Sequence, residues 1–180
     1  MSAQTSRIRM AALIETERLI LRHWSIEDVP SIVGIYGDPE TMRWFGRGVT
    51  FSPQELTESL KHVMEEYAYP DMGNHAVVEK ESLAVIGHCG VHRGSHGKEA
   101  EADWLIARDR WGRGYATEAA LALITQAFTK GNLRSICAVA HRENLASIGV
   151  MRKLRMTFAG ECDRDGFPSV VYRIARENFT

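Results

Sequence analysis

The sequence has few cysteines and no long apolar run. Its three cysteines, Cys89, Cys137 and Cys162, form no C-x-x-C pair, which argues against a disulfide framework and fits a reducing compartment. No segment approaches about 20 apolar residues, the length that spans a membrane as a helix. The first dozen residues carry Arg7 and Arg9 with only a very short apolar run, too little for a signal peptide. We therefore expect a soluble, cytoplasmic protein.

Charge of one sign is not in excess either. The chain carries 22 basic and 23 acidic residues, a formal net charge of −1, so no general field attracts nucleic acid or an anionic membrane. We expect neither as a partner. With 180 residues, 44% hydrophobic and 25% charged, the chain is long enough for a core of its own. The pattern predicts a flexible leader over 1–12 and a single domain over 13–180, compatible with a homodimer.

What the sequence does have is a pair of glycines between a strand and a helix. The run Trp111-Gly112-Arg113-Gly114-Tyr115-Ala116-Thr117 follows the strand-like segment 102–107 and leads into an apolar periodic segment. Two glycines one residue apart let the backbone bend sharply or approach a ligand closely. The free N–H groups of the first helical turn then form an anion site, which the helix dipole reinforces. Phosphate would fit there, although the same spacing also describes a plain tight turn.

The segment after the glycines has the periodicity of an amphipathic helix. Its apolar residues are Ala116, Ala119, Ala120, Leu123, Ile124, Ala127 and Phe128. The pattern predicts a helix that ends at Gly131-Asn132 after Lys130, as a C-cap requires. The next apolar run, 135–140, has the length of a strand. A strand there, parallel to 102–107, would complete a βαβ unit.

The string from Trp111 to Ala119, Trp-Gly-x-Gly-Tyr-Ala-Thr-Glu-Ala, resembles the acetyl-CoA signature of the GNAT superfamily of N-acetyltransferases. It is most similar to the branch that includes the RimJ/RimL-type protein N-terminal acetyltransferases. A second stretch, Thr16-Glu17-Arg18-Leu19-Ile20-Leu21-Arg22, resembles the opening strand of that branch. The resemblance implies an α/β fold with a GNAT-like mixed central sheet, helices on both faces, and a central βαβ unit with splayed parallel strands.

The resemblance also implies acetyl-CoA as the co-substrate and no metal. The pyrophosphate would lie on backbone N–H groups from Gly112 to Ala116, and the pantetheine arm between strands that end near Ala107 and Ala140. Trp111 replaces the Gln or Arg of the superfamily pattern, so a side-chain contact to the pyrophosphate is not implied at that position. The implied cofactor-binding residues are Ile106, Ala107, Trp111, Gly112, Arg113, Gly114, Tyr115, Ala116, Thr117, Asn144 and Ser147.

Candidate proton acceptors follow from the same resemblance. Glu101 matches the acidic residue that many relatives carry at the start of the equivalent strand, which makes it the first choice as base. Asp103, on the same strand face, is the second choice. Both carboxylates could instead be solvated strand residues. The oxyanion donor would be a backbone N–H near Ile106 or Ala107.

The segment after the second parallel strand supplies the other candidates. Asn144 and Ser147 match an Asn-x-x-Ser element of the branch, in which Asn contacts the cofactor arm and Ser lies near its sulfur, although both types also cap helices. Met151 stands where many superfamily members have a tyrosine acid, so Ser147 is the implied proton donor to the thiolate. Leu154-Arg155-Met156 replaces the usual Leu-Gly-Phe, which makes a left-handed helix C-cap less expected.

These expectations describe an enzyme, an N-acetyltransferase that moves an acetyl group from acetyl-CoA to a primary amine by direct attack. The acceptor would be a protein N-terminal α-amine or a small-molecule amine. A catalytically silent acyl-CoA-binding module would keep every cofactor feature and stays open. A Rossmann-type NAD(P)-dependent oxidoreductase fits less well, because Thr117 stands where its third glycine belongs and Arg134-Ser135 where an acidic residue is usual.

Elsewhere, local signals predict the supporting elements. We expect a strand over Leu13–His23, and a helix with Asp28 as its N-cap and Pro30 in its first turn. A capping box at Ser52-Pro53-Gln54-Glu55 begins a second helix. The aromatic, basic and glycine-rich run 42–48 suits a loop that shapes a binding site, and packing explains it equally well.

The remaining segments read as hairpins. One joins 75–80 to 83–92, and another turns at Asp165-Gly166 before a last strand. His88, His92 and His96 have a spacing that could suggest zinc, but strand residues four apart lie about 13 Å from each other, too far to share one ion. The sequence therefore predicts no metal site.

Overall fold

The computed structural model of the chain describes residues 12–45, 48–65, 73–93, 99–130 and 133–179. The strands are β1 (Ala12–Glu15), β2 (Leu19–Arg22), β3 (Gly73–Glu79), β4 (Val85–Arg93), β5 (Ala100–Ile106), β6 (Ser135–His141), β7 (Thr157–Arg164) and β8 (Phe167–Ala175). The α-helices are α1 (Val29–Tyr36), α2 (Pro39–Met42), α3 (Pro53–Glu65), α4 (Tyr115–Lys130) and α5 (Leu145–Lys153). None of these helices is long and apolar enough to cross a membrane.

The described strands form one eight-stranded sheet in the order β1-β2-β3-β4-β5-β6-β8-β7. Neighbours run antiparallel except β5 and β6, which are parallel and joined through α4. These two strands pair at Ala100 with Ile136 and at Glu101 with Cys137, and at no later described residue. Their carboxyl ends therefore diverge and leave an opening in the middle of the sheet. The mixed sheet and the splayed βαβ unit confirm the expected fold class.

Different helices cover the two faces of the sheet. Side chains alternate across a strand, and along β5 Ala102 and Ile106 join one apolar cluster while Leu105 joins the other. The first cluster includes the buried sides of α4 and α5, and the second those of α1 and α3. The predicted arrangement of helices on both faces is thus confirmed, and the opening between β5 and β6 lies between the two layers.

The predicted single strand over Leu13–His23 is wrong, because the chain folds back within it. β1 and β2 are antiparallel neighbours, and the turn between them closes with a hydrogen bond from the Thr16 N–H to the Leu19 carbonyl, 3.0 Å. The Thr16 hydroxyl also donates to a carboxylate of Glu118, 2.5 Å away. A side chain about 100 residues distant therefore stabilises a turn that contains no glycine or proline.

Helix starts were predicted with mixed success. The side chain of Asp28 does not cap α1, although Pro30 lies in the first turn as expected. Asp28 instead accepts two hydrogen bonds from the Arg22 guanidinium, 2.7 and 2.8 Å, and Ser25 caps a short 3-10 turn before α1. The buried Arg22 takes this carboxylate because burying a charge requires a partner. The capping box at Ser52 and Glu55 is confirmed by reciprocal hydrogen bonds.

The hairpins are also confirmed. β3 and β4 pair as antiparallel neighbours, and so do β7 and β8. The turn between β7 and β8 has positive φ at Asp165 (56°) and Gly166 (86°), as a two-residue hairpin turn requires. Parts of other predictions lie outside the described residues: the leader up to residue 11, Gly46, Arg47, His96, and the C-cap at Gly131-Asn132.

The end of α5 departs from the prediction. Arg155 adopts a left-handed conformation with φ 59°. This conformation was less expected, because an arginine lacks the conformational freedom of glycine. The Met156 N–H donates to the Met151 carbonyl, 3.0 Å, and the Arg155 N–H to the Arg152 carbonyl, 2.9 Å. This pair of bonds is the Schellman motif. The burial of Leu154 and Met156 on either side favours the turn in spite of the arginine.

Arg155→Gly should therefore stabilise the protein by about 1 kcal/mol, because an L-residue in the left-handed region costs about 1–2 kcal/mol that glycine avoids. The midpoint of urea unfolding measures the change. Lys153→Gly, inside the last helical turn, is the matched control and should lower stability by up to about 1 kcal/mol. A loss of stability on Arg155→Gly would contradict the strain argument.

Candidate active site

The divergence of β5 and β6 opens a cleft with a volume of about 880 Å³. One side of the cleft is formed by the end of β5 and the glycine turn, and the other by the end of β6 and the start of α5. The loop after α2 and the β7–β8 turn also line it. Of the predicted site residues, those that line the cleft are Glu101, Asp103, Ile106, Trp111, Gly112, Gly114, Tyr115, Ala116, Thr117, Asn144 and Ser147. Ala107 and Arg113 do not line it. The fold thus brings most of the predicted residues together.

The glycine turn has the conformation that its sequence indicates. Gly112 and Gly114 have φ of 74° and 82°, a region that other residues rarely adopt. A Cβ placed on Gly112 would meet no atom within 4 Å, so the space in front of the turn is open. The Glu118 N–H donates to the Gly114 carbonyl, 3.0 Å, which leaves the preceding N–H groups of the first turn without helical partners. These groups point out of the helix start, where an anion is favoured.

A salt bridge holds this turn against β2. The Arg18 guanidinium contacts the Glu118 carboxylate at 2.6 Å and donates to the carbonyl of Arg113 at 2.8 Å. Burial raises the pKa of Glu118, but hydrogen bonds from Thr16 and Arg18 outweigh this effect and hold the pKa below its usual value. The acidic residue of the first turn is therefore ionised and neutralised by Arg18, so that it does not repel an anion at the helix start.

Tyr115 also holds the glycine turn in place through its side chain. Its hydroxyl donates to Oε1 of the buried Glu79, 2.6 Å away, and its ring lies 4.6 Å from the Arg18 guanidinium carbon. The hydrogen bond to Glu79 is the main cause that raises the pKa of Tyr115. Arg110 pairs with the second oxygen of Glu79 at 3.3 Å. The Tyr115 hydroxyl thus has a structural role, and the backbone N–H of the residue is available to a ligand.

Trp111 takes a role that its place in the motif did not indicate. Its indole Nε1 donates to the carbonyl of Ile106, 2.6 Å away, while about half of the residue (49%) stays exposed. The tryptophan therefore ties the glycine turn to the end of β5. This contact positions the backbone that a ligand would meet.

The end of β5 offers one candidate oxyanion donor. The Ala107 N–H donates to the Ile86 carbonyl, 2.8 Å, and is therefore not available. Hydrogen-bonding direction alternates along an antiparallel strand, so the Ile106 N–H points the other way, toward β6. There β6 has already diverged. Of the two predicted donors, the geometry favours Ile106.

The start of α5 contains the Asn-x-x-Ser pair. The side-chain oxygen of Asn144 accepts the Ser147 N–H at 3.1 Å and so caps the helix. The capping role that the sequence left open is therefore present for Asn144. Ser147 uses its backbone in this contact, and its side chain lies at the cleft wall.

The two carboxylates of β5 have different partners. Glu101 pairs with Arg164 of β7, while Asp103 Oδ2 lies 3.2 Å from His92 Nε2 of β4. Burial raises the pKa of Asp103, but the hydrogen bond from His92 and the nearby imidazoles outweigh it and hold the pKa below its ordinary value. Among the described residues, no group of three or more His, Cys, Asp or Glu side chains is arranged to hold a metal ion.

An aromatic wall closes one end of the cleft. Trp44 stacks on His141 with ring centroids 4.5 Å apart, and Phe167 makes an edge-type contact with the same histidine, with centroids 6.2 Å apart. The Arg43 guanidinium carbon lies 4.7 Å from the Trp44 ring. Arg43, Trp44, Phe45 and Gly48 of run 42–48 line the cleft, while Met42 and Phe45 also pack on the second apolar cluster, so both interpretations of the run hold in part.

Comparison with known proteins decides the family. The profile of the family described as "Acetyltransferase (GNAT) domain" matches residues 18–157. The chain belongs to the GNAT acetyltransferase family. It is 30% identical to the Bacillus licheniformis protein named uncharacterized N-acetyltransferase p20, over 77% of this chain and 79% of that protein. Family membership and the mostly antiparallel sheet rule out the Rossmann oxidoreductase alternative.

Solved structures share the GNAT fold along nearly the whole chain. A GNAT-family acetyltransferase from Bacillus anthracis superposes with a TM-score of 0.81 at 24% identity, covering 91% of this chain and 98% of that one. RimL, described as a ribosomal L7/L12 alpha-N-protein acetyltransferase in complex with coenzyme A, gives a TM-score of 0.78 at 15% identity, covering 91% and 97%. At these identities the likeness shows the fold alone.

Three residues of the GNAT site escaped the sequence analysis in their actual roles. Arg18 and Glu118 lie inside the two matched stretches, but nothing in either stretch indicates that they pair with each other. Glu79 carries no signal at all, since it looks like any residue at the end of a strand. The alternation of side chains along β3 would have indicated that Glu79 is buried only if the buried face of the strand had been known.

Proposed function

We propose that this GNAT protein transfers an acetyl group from acetyl-CoA to a primary amine by direct attack of the neutral amine on the thioester. The observation that carries the proposal is the cleft between β5 and β6, which has an anion-binding turn near one end and carboxylates facing it on β5. A catalytically silent acyl-CoA-binding module would keep the open strands, but it would not need ionisable groups at the cleft wall.

The glycine turn is suited to the pyrophosphate of acetyl-CoA. The open space before Gly112 and the N–H groups of Gly112 to Thr117 provide a cradle, and Arg18 neutralises the one acidic side chain of the helical first turn. Ile106 would meet the acetyl carbonyl, and Asn144 and Ser147 would flank the cofactor arm. Acetyl-CoA, when bound, supplies an activated thioester carbon.

The protein's own groups account for the charge that develops during transfer. The Ile106 N–H stabilises the negative oxygen of the tetrahedral intermediate. A carboxylate of β5, Glu101 or Asp103, takes the proton that the amine loses. The Ser147 hydroxyl gives a proton to the departing thiolate. These three roles stay proposals that the experiments below separate.

We further propose that the acceptor is an amine of the RimJ/RimL type, a protein N-terminal α-amine, with a small-molecule amine as the alternative. The Asn-x-x-Ser element, which resembles that of the RimJ/RimL branch, supports the first choice. The aromatic wall made by Trp44, His141 and Phe167 would hold a flat or extended group beside the attacking nitrogen.

The deciding experiment is a screen of acetyl transfer over amine classes, read by the release of free CoA thiol. We expect release with free N-terminal peptides and less with N-terminally blocked peptides that carry lysine. Release with polyamines or aminoglycosides alone would move the acceptor to the small-molecule class. No release with any amine, combined with tight acetyl-CoA binding, would favour the catalytically silent module.

Binding itself is tested by thermal unfolding. Acetyl-CoA at 100 times its dissociation constant should add about 2.7 kcal/mol to stability, or roughly 5–10 °C in Tm for a domain of this size. NADPH is the matched control, because it also carries an adenosine diphosphate, and it should give little shift. No shift with acetyl-CoA, or a larger one with NADPH, would contradict the proposed cofactor.

A further inference from the structure

His92, which the sequence analysis considered only as a metal ligand, contacts a carboxylate of the cleft. Asp103 lines the cleft, whereas His92 is not among its lining residues. The two side chains belong to neighbouring strands, since Asp103 pairs with Gly90 and His92 with Glu101. His92 Nε2 lies 3.2 Å from Asp103 Oδ2, and each side chain is 33% exposed. His92 therefore approaches Asp103 from outside the cleft.

Gly90 makes room for this contact. A Cβ at position 90 would lie 2.5 Å from His92 Nε2 and 2.7 Å from Asp103 Oδ1, distances that real Cβ atoms do not adopt. Gly90 is not among the glycines with positive φ, so its backbone does not require glycine. The missing side chain is needed for the carboxylate and the imidazole to lie side by side.

The other oxygen of Asp103 is enclosed. Oδ1 is buried and has no hydrogen-bond partner among the residues that the structure describes. Among the described residues, His92 is the side chain that pairs with this carboxylate, and the Gly90 backbone also lowers its pKa. Because an ionised carboxylate with one buried, unpaired oxygen is costly, its charge depends strongly on the remaining contact.

The other ionisable groups around Asp103 do not replace His92 as a cation. His88 on β4 and His75 on β3 have a pKa lowered by burial, that of His75 to about 4, so both are neutral near pH 7. Tyr36 of α1 hydrogen-bonds His88 at 2.6 Å, and burial raises its pKa. Burial likewise raises the pKa of Cys89 on the opposite sheet face.

On the cleft side, the neighbouring carboxylate, Glu101, already has a cationic partner. Glu101 lies two residues before Asp103 on the same strand face, and its carboxylate pairs with Arg164 of β7. That ion pair links β5 to the β7–β8 hairpin. Within the described parts of the chain, Glu101 has a cationic partner that lines the cleft, and Asp103 has none there.

On the basis of the proposed function, we propose that Asp103 is the proton acceptor for the incoming amine. His92 is its positioning residue, which donates Nε2–H to Oδ2 and keeps the carboxylate ionised at the cleft wall. As the bond from nitrogen to the acetyl carbon forms and the carbon–sulfur bond breaks, the amine proton moves to Asp103. The sulfur takes its proton from Ser147, which regains one from water.

The test compares pH–rate profiles of CoA thiol release between wild type and His92→Gln, with an alanine tripeptide amide as acceptor. Loss of His92 should raise the pKa of Asp103, so the ratio of variant to wild-type rate should fall as the pH is lowered from 9 to 5, by about tenfold for each pH unit between the raised pKa and the wild-type pKa. Dividing the variant rate by the wild-type rate at each pH cancels the titration of the acceptor amine, because it affects both enzymes equally. His62→Gln, at a side chain 76% exposed on α3, is the matched control and should follow wild type.

Two further variants keep the proposal testable if His92→Gln folds poorly. Gly90→Ala intrudes between the two side chains and should give the same loss at low pH. Asp103→Asn should lower turnover at least about 100-fold at every pH, while Glu101→Gln loses less. A ratio that does not change with pH in His92→Gln, or a larger loss for Glu101→Gln than for Asp103→Asn, would overturn the proposal.

A second measurement needs no substrate. Carbon-13 NMR follows the titration of the Asp103 carboxyl, which Asp103→Asn assigns, in wild type and His92→Gln. A titration midpoint that moves to higher pH in the variant supports the contact even if no amine is acetylated, which would then contradict the proposed function alone. An unmoved midpoint overturns the positioning role whatever the activity.

Discussion

Gly114→Val is expected to weaken acetyl-CoA binding at least about 100-fold while the protein stays folded, because losing two hydrogen bonds to charged phosphate costs about 3 kcal/mol or more. Gly114 has φ 82°, which a β-branched residue does not reach without strain. The turn must therefore change its backbone, and the N–H groups that precede α4 lose their common direction.

The structure supplies a second reason for this effect. A Cβ on Gly114 would lie 3.6 Å from the Arg18 guanidinium, so the two methyl groups of valine would press on the residue that holds the Arg113 carbonyl and Glu118. Displacing Arg18 would leave the carboxylate of Glu118 uncompensated near the phosphates. Strain and charge thus act in the same direction.

Isothermal titration calorimetry with acetyl-CoA measures the change, and urea unfolding confirms the folded state. Gly160→Val is the matched control. Gly160 also has positive φ, 142°, its Cβ would meet nothing within 4 Å, and it lies in β7 away from the cleft. The control should lose stability and keep its affinity. Unchanged affinity in Gly114→Val would mean that the turn does not carry the phosphates.

The features of this fold that could be predicted from the sequence depend on neighbouring residues. The glycine turn and α4 follow from two glycines and a regular apolar period, and the capping box at Ser52 from a four-residue pattern. The Asp165-Gly166 turn is of the same kind. In each case the residues that determine the structure lie within one or two turns of chain, so their pattern can be read directly.

The features that could not be predicted depend on distant contacts. The turn between β1 and β2 is stabilised by hydrogen bonds to Glu118 of α4. Arg155 keeps a left-handed conformation because buried neighbours favour it. In each case tertiary packing overrides a local preference.

The candidate site divides in the same way. The residues that would touch a ligand were identified because they lie in two continuous motifs. Their supports were not, since Arg18 meets Glu118 only where α4 packs beside the β1–β2 turn, and Asp103 meets His92 only through the register of β4 on β5. A register that places Gly90 opposite Asp103 has no signature in a single sequence.

Ser147→Ala is expected to lower turnover at least about 100-fold with little change in acetyl-CoA affinity, if the hydroxyl gives the thiolate its proton. The structure separates this role from helix capping, because Ser147 uses its backbone N–H in the cap and Asn144 supplies the side chain. Removing the hydroxyl leaves that hydrogen bond intact. Met151, where many relatives carry a tyrosine, is buried and offers no proton.

Asn144→Ala is the matched variant for the capping role. It should cost about 1 kcal/mol of stability through the lost cap. Because Asn144 also lines the cleft, some loss of acetyl-CoA affinity should accompany it, whereas Ser147→Ala should leave both stability and affinity near wild type. Steady-state kinetics with the acceptor from the amine screen, calorimetry with acetyl-CoA and urea unfolding measure the three quantities on each variant. If Ser147→Ala kept full turnover, the thiolate would take its proton from water, and Ser147 would be no more than part of the cleft wall.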